Sequence, residues 1–287
     1  KAGRREPISM RDYRLIDSHV HFFPQEIFRA IWEWLDTHAY SVRYKLPTDV
    51  LVSTLKEQGA ERFICYNYAH KPGMSRFLNE WTAELSETYP EVIPFAAIHP
   101  DDENPIAELE RCFSRGFKGV KVHSHVNGIS PDDKRMFPIY EAVVRSNKIL
   151  SIHGSAGPAL GVYPVPVDEI CGTQHIERMM SRFPEMKCIV PHFGTWDYKG
   201  FFALMDEYEN LYTDNAMVLS GFLPGKLDMD FLLEHIVKHQ DRVLYGSDFP
   251  NIPCEIGTEI EIIQRASLPQ GVKNKVLAGN AVRLFGL

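Results

Sequence analysis

The feature that most limits the fold of this chain is a regular alternation of short apolar runs, each bounded by Gly, Pro or Asp, with longer amphipathic stretches. Eight runs rich in Val, Ile, Leu, Tyr or Phe read as strands: 14–22 (RLIDSHVHF), 62–68 (RFICYNY), 92–99 (VIPFAAIH), 119–126 (GVKVHSHV), 148–154 (KILSIHG), 187–194 (KCIVPHFG), 211–216 (LYTDNA) and 242–249 (RVLYGSDF). Helical patterns lie between them. QEIFRAIWEWLDTH occupies the long connection 22–47, PTDVLVSTLKEQG stops at Gly59, SRFLNEWTAELSETYP stops before Pro90, and NPIAELERCFSRG places Pro105 early and Gly116 at its end. SPDDKRMFPIYEAVVRSN, TQHIERMMSRFP, DMDFLLEHIVKHQ and IGTEIEIIQRAS fill later gaps, YKGFFALMDEYEN has a weaker helical pattern, and VKNKVLAGNAVRLFGL reads as one closing helix.

Eight strand–helix units predict an α/β fold with parallel strands, a (β/α)8 TIM barrel, with an open doubly wound sheet as the alternative. The number of units and the polar residues at the carboxyl ends of many strands favour the barrel. The 287 residues suit a single domain over 14–287, preceded by an extension, 1–13, that begins with the basic, polar KAGRREPIS and lacks the apolar core of a signal peptide. The connection 22–47 and the Gly/Pro-rich 155–172 both follow strands, so both are expected to overhang one face as lids or substrate-shaping loops. A net charge of −7 argues against a nucleic-acid partner, and no apolar stretch is long enough to span a bilayer. The five cysteines (65, 112, 171, 188 and 254) form no CxxC pair; Cys65 and Cys188 fall in apolar strand runs and read as buried thiols of a cytoplasmic protein.

The chemistry concentrates at strand ends. The first strand carries Asp17-Ser-His19-Val-His21, and alternation places Asp17, His19 and His21 on one face. An HxH pair alone also arises by chance among 12 histidines. However, His153 ends the fifth strand, His192 the sixth and Asp248 the eighth. A buried imidazole or carboxylate is costly unless paired or coordinated, and four strands converging on nitrogen and carboxylate donors point to a metal.

This ordered pattern, HxH on strand one, His on five, His on six and Asp on eight, resembles the amidohydrolase superfamily over nearly the whole chain. IDSHVHFFP, YGSDFP and the ending AGNAVRLFGL look more specifically like its amidohydrolase-2 branch, which includes aminocarboxymuconate-semialdehyde decarboxylase, resorcylate-type decarboxylases and small lactone or ring-opening hydrolases. The resemblance implies a barrel with one divalent ion, zinc first, manganese or iron as alternatives. It implies His19, His21 and His153 as ligands, Asp248 as a ligand or a partner of bound water, and His192 as the free catalytic histidine. Such an ion lowers the pKa of bound water from about 16 toward ~7, and Asp248 and His192 are placed to move protons beside it.

Lys121, on the face shared with His123 and His125, reads as a buried cation facing a substrate carboxylate or as half of a salt bridge; a carboxylated lysine bridging two metals, as in binuclear members of the superfamily, is the lesser alternative. His123, near the strand's end, is expected to contact substrate, whereas His125 reads equally as pocket wall or exposed loop. His99 is either a pocket residue or a strand-ending polar group. Asp17 is expected to orient a ligand or backbone group. Asn67, Tyr68, Asp214 and Asn215 read as substrate contacts or turn formers. His38, His70, His175, His235 and His239 read as surface residues.

Two activities follow: hydrolysis of a small carbonyl compound, placed first, and non-oxidative decarboxylation of an aromatic or muconate-type acid, for which Arg43 and Lys121 are the candidate cations. A non-catalytic barrel that keeps its metal for stability stands third, since it would not need both His192 and Asp248. The expected partner is a small molecule, and relatives of this type are often homodimers.

Overall fold

A computed structural model describes residues 13–157, 162–222 and 227–287; apart from Tyr13, the extension assigned to 1–13 lies outside them, as do residues 158–161 of the loop 155–172. The described residues form eight parallel strands in chain order: β1 Leu15–Val20, β2 Ala60–Cys65, β3 Val92–Ala97, β4 Gly119–His123, β5 Ile149–His153, β6 Lys187–Val190, β7 Leu211–Asp214 and β8 Val243–Leu244. The last strand is far shorter than RVLYGSDF suggests. The remainder of that run leaves the sheet ladder and bonds to β1: Ser18 N–H donates to Tyr245 O (2.9 Å), Asp248 N–H to His19 O (2.9 Å) and His21 N–H to Phe249 O (2.8 Å). These bonds join the eighth strand to the first, so the barrel leaves no free sheet edge there.

The interior is layered. Ile16, Ile64, Phe95, Ile149, Ile189 and Leu244, drawn from six strands, pack with Ala278, Ala281 and Phe285 of the C-terminal segment in one buried cluster at the amino-terminal end. β4 contributes a glycine to this layer: a Cβ on Gly119 would lie 2.2 Å from Ile149 O and 2.3 Å from Phe95 Cε1, so the Phe95 ring occupies the space a side chain would need. Above it, Tyr66, Lys121 and Ser151 form a middle layer, and the histidines stand above that. The larger cluster, including Leu15, Val20, Cys65, Val120, Val122 and Leu150, fills the space between the strands and the helices. This is the two-layer packing expected of an α/β barrel.

Register in β1 is broken between Leu15 and Ile16 and again between Asp17 and Val20. Strict alternation would therefore be misleading here: Ile16 packs in the inner cluster, yet Val20, an even number of residues on, packs in the outer one. The irregularity resets which side chains face inward and turns His19 and His21 to the mouth, the re-aiming that a bulge provides.

Helix α1, Gln25–His38, spans the segment read from the sequence and buries Phe28 and Trp32. Thr48–Glu57, Ser75–Thr88, Pro105–Ser114, Thr173–Arg182, Met229–Lys238 and Thr258–Arg265 agree with their patterns to within a few residues, and Tyr198–Glu207 is a full helix despite its weak pattern. In the segment 130–147 only Phe137–Arg145 is α-helical, after one 3-10 turn at Lys134–Met136. The closing run is not one regular helix: Gln270–Asn274 and Asn280–Phe285 flank a π turn at Lys275–Gly279.

Candidate active site

Five elements deliver the polar side chains to one cavity. His19 comes from β1 and His21 from just beyond it; Lys121 and His123 come from β4, His153 from β5, His192 from the turn after β6 and Asp248 from the turn after β8, and all seven line the same cavity. His192 (φ 59°) and Asp248 (φ 66°) both have left-handed backbones, rare for residues with a Cβ and typical of sites where position outweighs local strain.

The tautomers follow from the acceptors. A carbonyl can only accept, so His21 Nδ1 donates to Tyr66 O (2.8 Å) and His192 Nδ1 donates to Ala216 O (2.8 Å). His19 Nδ1 donates to Asp214 Oδ2 (2.9 Å). Burial first, and then Lys121, hold the His19 imidazole far below its usual range, so it is neutral. The Nε2 atom of His19 is therefore left as a lone pair, and it faces His21 Nε2 at 3.2 Å. Asp248 Oδ1 lies 2.9 Å from His21 Nε2 and 3.3 Å from His19 Nε2. Two imidazole nitrogens and a carboxylate oxygen this close are held together by a positive centre between them, which a proton on His21 Nε2 or a metal ion can supply.

The donor chemistry and spacing fit a divalent ion. Ligands about 2.1 Å from one ion at tetrahedral or octahedral angles stand roughly 3.0–3.4 Å apart, which matches the three separations above. His192 also belongs to the group: His19, His192 and Asp248 each offer an atom, all within 4.8 Å of one another. His153 stands beside them, with ring centroids 5.0 Å from His192, 4.2 Å from His123 in a parallel stack and 4.7 Å from His125. Burial is the first cause holding both His123 and His153 far below the usual imidazole range.

Supporting groups lock this arrangement. Asp214 Oδ1 accepts the backbone N–H of His192 (2.9 Å) and Ala216 (3.1 Å) while its other oxygen holds His19. Asp17 Oδ1 accepts from the N–H of His19 (3.1 Å) and Ser247 (3.0 Å), tying β1 to the end of the eighth run. Lys121 is fully buried; its Nζ donates to Ser151 Oγ (3.3 Å) and lies 4.5 Å from the Tyr66 ring centroid. Burial pulls its ammonium down to about 8, against the opposing pull of Asp214 and Asp248.

Several expectations are corrected, and for His125 and His99 one of two open readings is selected. Arg43 is not a pocket cation, because it pairs with Glu255 on the surface. β4 ends at His123 and His125 turns into a short helix, Ser124–Asn127, where its Nε2 donates to Ser155 O (2.8 Å); it is buried wall, not exposed loop. His70 lines the cavity, and His175 and His239 are buried instead of lying on the surface. His99 accepts the N–H of Asp101 at a strand-ending turn and is not among the cavity residues. Asp214 and Asn215 neither face substrate nor merely form a turn: the first orients His19, and the second binds the buried Glu259. No local sequence signal marks Glu259, or the carbonyls of Tyr66 and Ala216 that fix two tautomers.

Residues 16–287 match the amidohydrolase family in its amidohydrolase-2 branch, and the chain belongs to that family. It is 24% identical over 256 residues to the 2-amino-3-carboxymuconate-6-semialdehyde decarboxylase of Dictyostelium discoideum, covering 78% of this chain and 70% of that protein. It is 26% identical over 142 residues to a dihydroorotase of Ectopseudomonas mendocina, covering 46% of this chain and 39% of the enzyme. Among solved structures, the 5-carboxyvanillate decarboxylase of Sphingomonas paucimobilis superposes with a TM-score of 0.69 at 20% identity, over 96% of this chain and all (100%) of that one. The 5-carboxyvanillate decarboxylase of Novosphingobium aromaticivorans, complexed with manganese and 4-hydroxy-3-methoxy-5-nitrobenzoic acid, gives 0.67 at 18% identity, over 96% and 97% of the two chains. None of the helices among the described residues is long and apolar enough to cross a membrane.

Proposed function

We propose that this protein is a metal-dependent, non-oxidative decarboxylase of an aromatic or muconate-type acid. The observation that carries the reading is the convergence of His19 Nε2, His21 Nε2 and Asp248 Oδ1, all atoms of metal-binding residue types, within 3.3 Å of one another at the barrel mouth. Hydrolysis, placed first by the sequence, yields to decarboxylation for two reasons. Several relatives that share most of this chain's length are named as decarboxylases. The cavity also holds a buried cation, Lys121, the one Lys or Arg among its described lining residues.

His19, His21 and Asp248 would hold one divalent ion, with His153, free of hydrogen-bond partners among the described residues, available as a further donor. Manganese stands beside zinc as a candidate, since nitrogen and carboxylate donors suit both. The ion would act as a Lewis acid that binds substrate oxygens and withdraws charge. Lys121 pairs with the anionic substrate from below. His192, its Nδ1 fixed on Ala216 O, orients the acid from the side through Nε2. Asp248 engages its neighbours through Oδ1, which leaves Oδ2 to carry a proton. As the carbon–carbon bond to the carboxylate breaks, its electron pair stays on the substrate carbon and takes up a proton that the Asp248 carboxylate relays from water, and the hydroxide left behind combines with the departing carbon dioxide as bicarbonate. Apolar walls favour the neutral product over the charged carboxylate. A cytoplasmic setting belongs to the same reading, since Cys65, Cys112, Cys171, Cys188 and Cys254 are all free thiols.

The test loads purified protein with manganese or zinc and offers 5-carboxyvanillate, 2,6-dihydroxybenzoate and 2-amino-3-carboxymuconate-6-semialdehyde, following carbon dioxide, alongside lactones and dihydroorotate, following acid release. Carbon dioxide release that a chelator abolishes is the expected result. Acid release alone would return the protein to the hydrolases, and activity that survives chelation would remove the metal from the account.

A further inference from the structure

Helix α1 carries two apolar stripes. Phe28 and Trp32 face the core, with rings stacked at 4.6 Å. A second stripe, Ile27, Ile31, Trp34 and Leu35, recurs at i, i+4, i+7 and i+8, is only half-buried, and lines the same cavity as His19, Lys121 and Asp248. Across from it, the Tyr163 ring lies 4.8 Å from Trp34 and 5.3 Å from His125. Ring contacts then run from His125 to His153 (4.7 Å) and on to His192 (5.0 Å), so the apolar wall is continuous with the histidine cluster.

The cavity has two unlike ends. Its inner end holds Lys121, Asp248 and the imidazoles. Its outer end is walled by α1 and Tyr163, where Glu26 and His38 are the polar side chains of α1 and no Lys or Arg stands among the described lining residues. The volume of about 950 Å³ lies near the top of the roughly 300–1,000 Å³ that drug-sized ligands fill, and is several times what a single-ring acid needs. Among the described residues this half-buried apolar face lies beside a reactive centre, where a ligand can complete its burial.

Resting on the proposed reading of an acid substrate, we infer that the outer chamber is a specificity pocket for an apolar extension, an aryl or alkyl group carried on the side of the substrate away from its carboxylate. Ile31 and Trp34 are its specificity-determining residues. Small single-ring acids would fill only the inner end.

Calorimetric titration of the metal-loaded full chain with benzoate, 4-butylbenzoate and biphenyl-4-carboxylate tests this. Each methylene buried in the chamber is worth about fourfold in affinity. Biphenyl-4-carboxylate is therefore expected to bind at least tenfold tighter than benzoate, with 4-butylbenzoate between them. Ile31→Trp, which projects a larger ring into the chamber, should cut the biphenyl-to-benzoate ratio below three, and Trp34→Ala, which removes part of the wall, should lower it as well. Equal affinity for the three probes, no measurable binding by any of them, or a ratio unmoved by both substitutions would overturn the inference. Tail-dependent binding without carbon dioxide release from any acid would count against decarboxylation and leave the chamber standing.

Discussion

Asp214 holds His19 from behind: its Oδ2 accepts the Nδ1 proton at 2.9 Å, which leaves Nε2 bare toward His21 and Asp248. A carboxylate behind a ligating imidazole fixes its tautomer and raises its basicity, and losing such a partner typically costs 10–100-fold in metal affinity. Asp214→Asn is therefore expected to weaken divalent-ion binding by about that factor while the protein stays folded. Competition with a chromophoric chelator measures it; unchanged affinity would detach Asp214 from this role.

Lys121 sits in the middle layer with its ammonium pulled down to about 8 by burial. If it pairs with an anionic substrate, KM rises as pH climbs through about 8 and the charge is lost. Lys121→Met should raise KM for an acid substrate at pH 7 by about tenfold or more, in line with the loss of a buried charge partner, and should flatten the alkaline rise. The folding sign is opposite: between about 8 and the ordinary 10.5 the unfolded chain binds the extra proton, so this group makes the fold more stable as pH increases across that window. A KM profile indifferent to Lys121 would exclude it from binding.

Gly119 is irreplaceable for a steric reason. With Ile149 O at 2.2 Å and the Phe95 ring at 2.3 Å from an added Cβ, Gly119→Ala overfills the inner layer. The expected loss is about 1–3 kcal/mol, read from the urea midpoint at constant m-value. A midpoint equal to that of the native protein would contradict the layered packing.

Glu259 is 4% exposed and accepts from Ser220 N–H (2.7 Å), Asn215 Nδ2 (2.7 Å) and Leu219 N–H (3.3 Å). Burial pushes its carboxyl up to about 7, against those hydrogen bonds. The native state then binds the proton more tightly than the unfolded chain does, so stability falls as pH rises from the ordinary 4.5 to about 7. Glu259→Gln should reduce the drop in melting temperature between pH 5 and 7.5, leaving the share due to Asp17, which burial also pushes up to about 7. An unaltered slope would place the titration elsewhere.

The architecture was legible because its causes are local. Period-two and period-3.6 patterns and Gly or Pro stops delimit α1 and most other helices, and the strand-end residues His19, His21, Lys121, His123, His153, His192 and Asp248 all meet in one cavity. What the sequence hid is set by long-range geometry. Alternation on β1 brought His19 and His21 into one cavity, but the register break between Asp17 and Val20 lies outside a period-two pattern. The extent of β8 was overstated because Tyr245–Phe249 bonds across the barrel seam to β1. The role of Asp214 depends on a partner 195 residues away, and that of Glu259 on a turn 39 to 44 residues away. Arg43 was a reasonable anion binder until Glu255, 212 residues on, claimed it.

Metal content per chain, measured on native protein and on Asp248→Asn after equal loading with manganese or zinc, tests the central claim most directly. One equivalent in the native protein, and a large loss in Asp248→Asn at unchanged circular dichroism, is the expected result. A full equivalent retained by the variant, or none bound by the native protein, would contradict the convergence of His19, His21 and Asp248 on a shared ion.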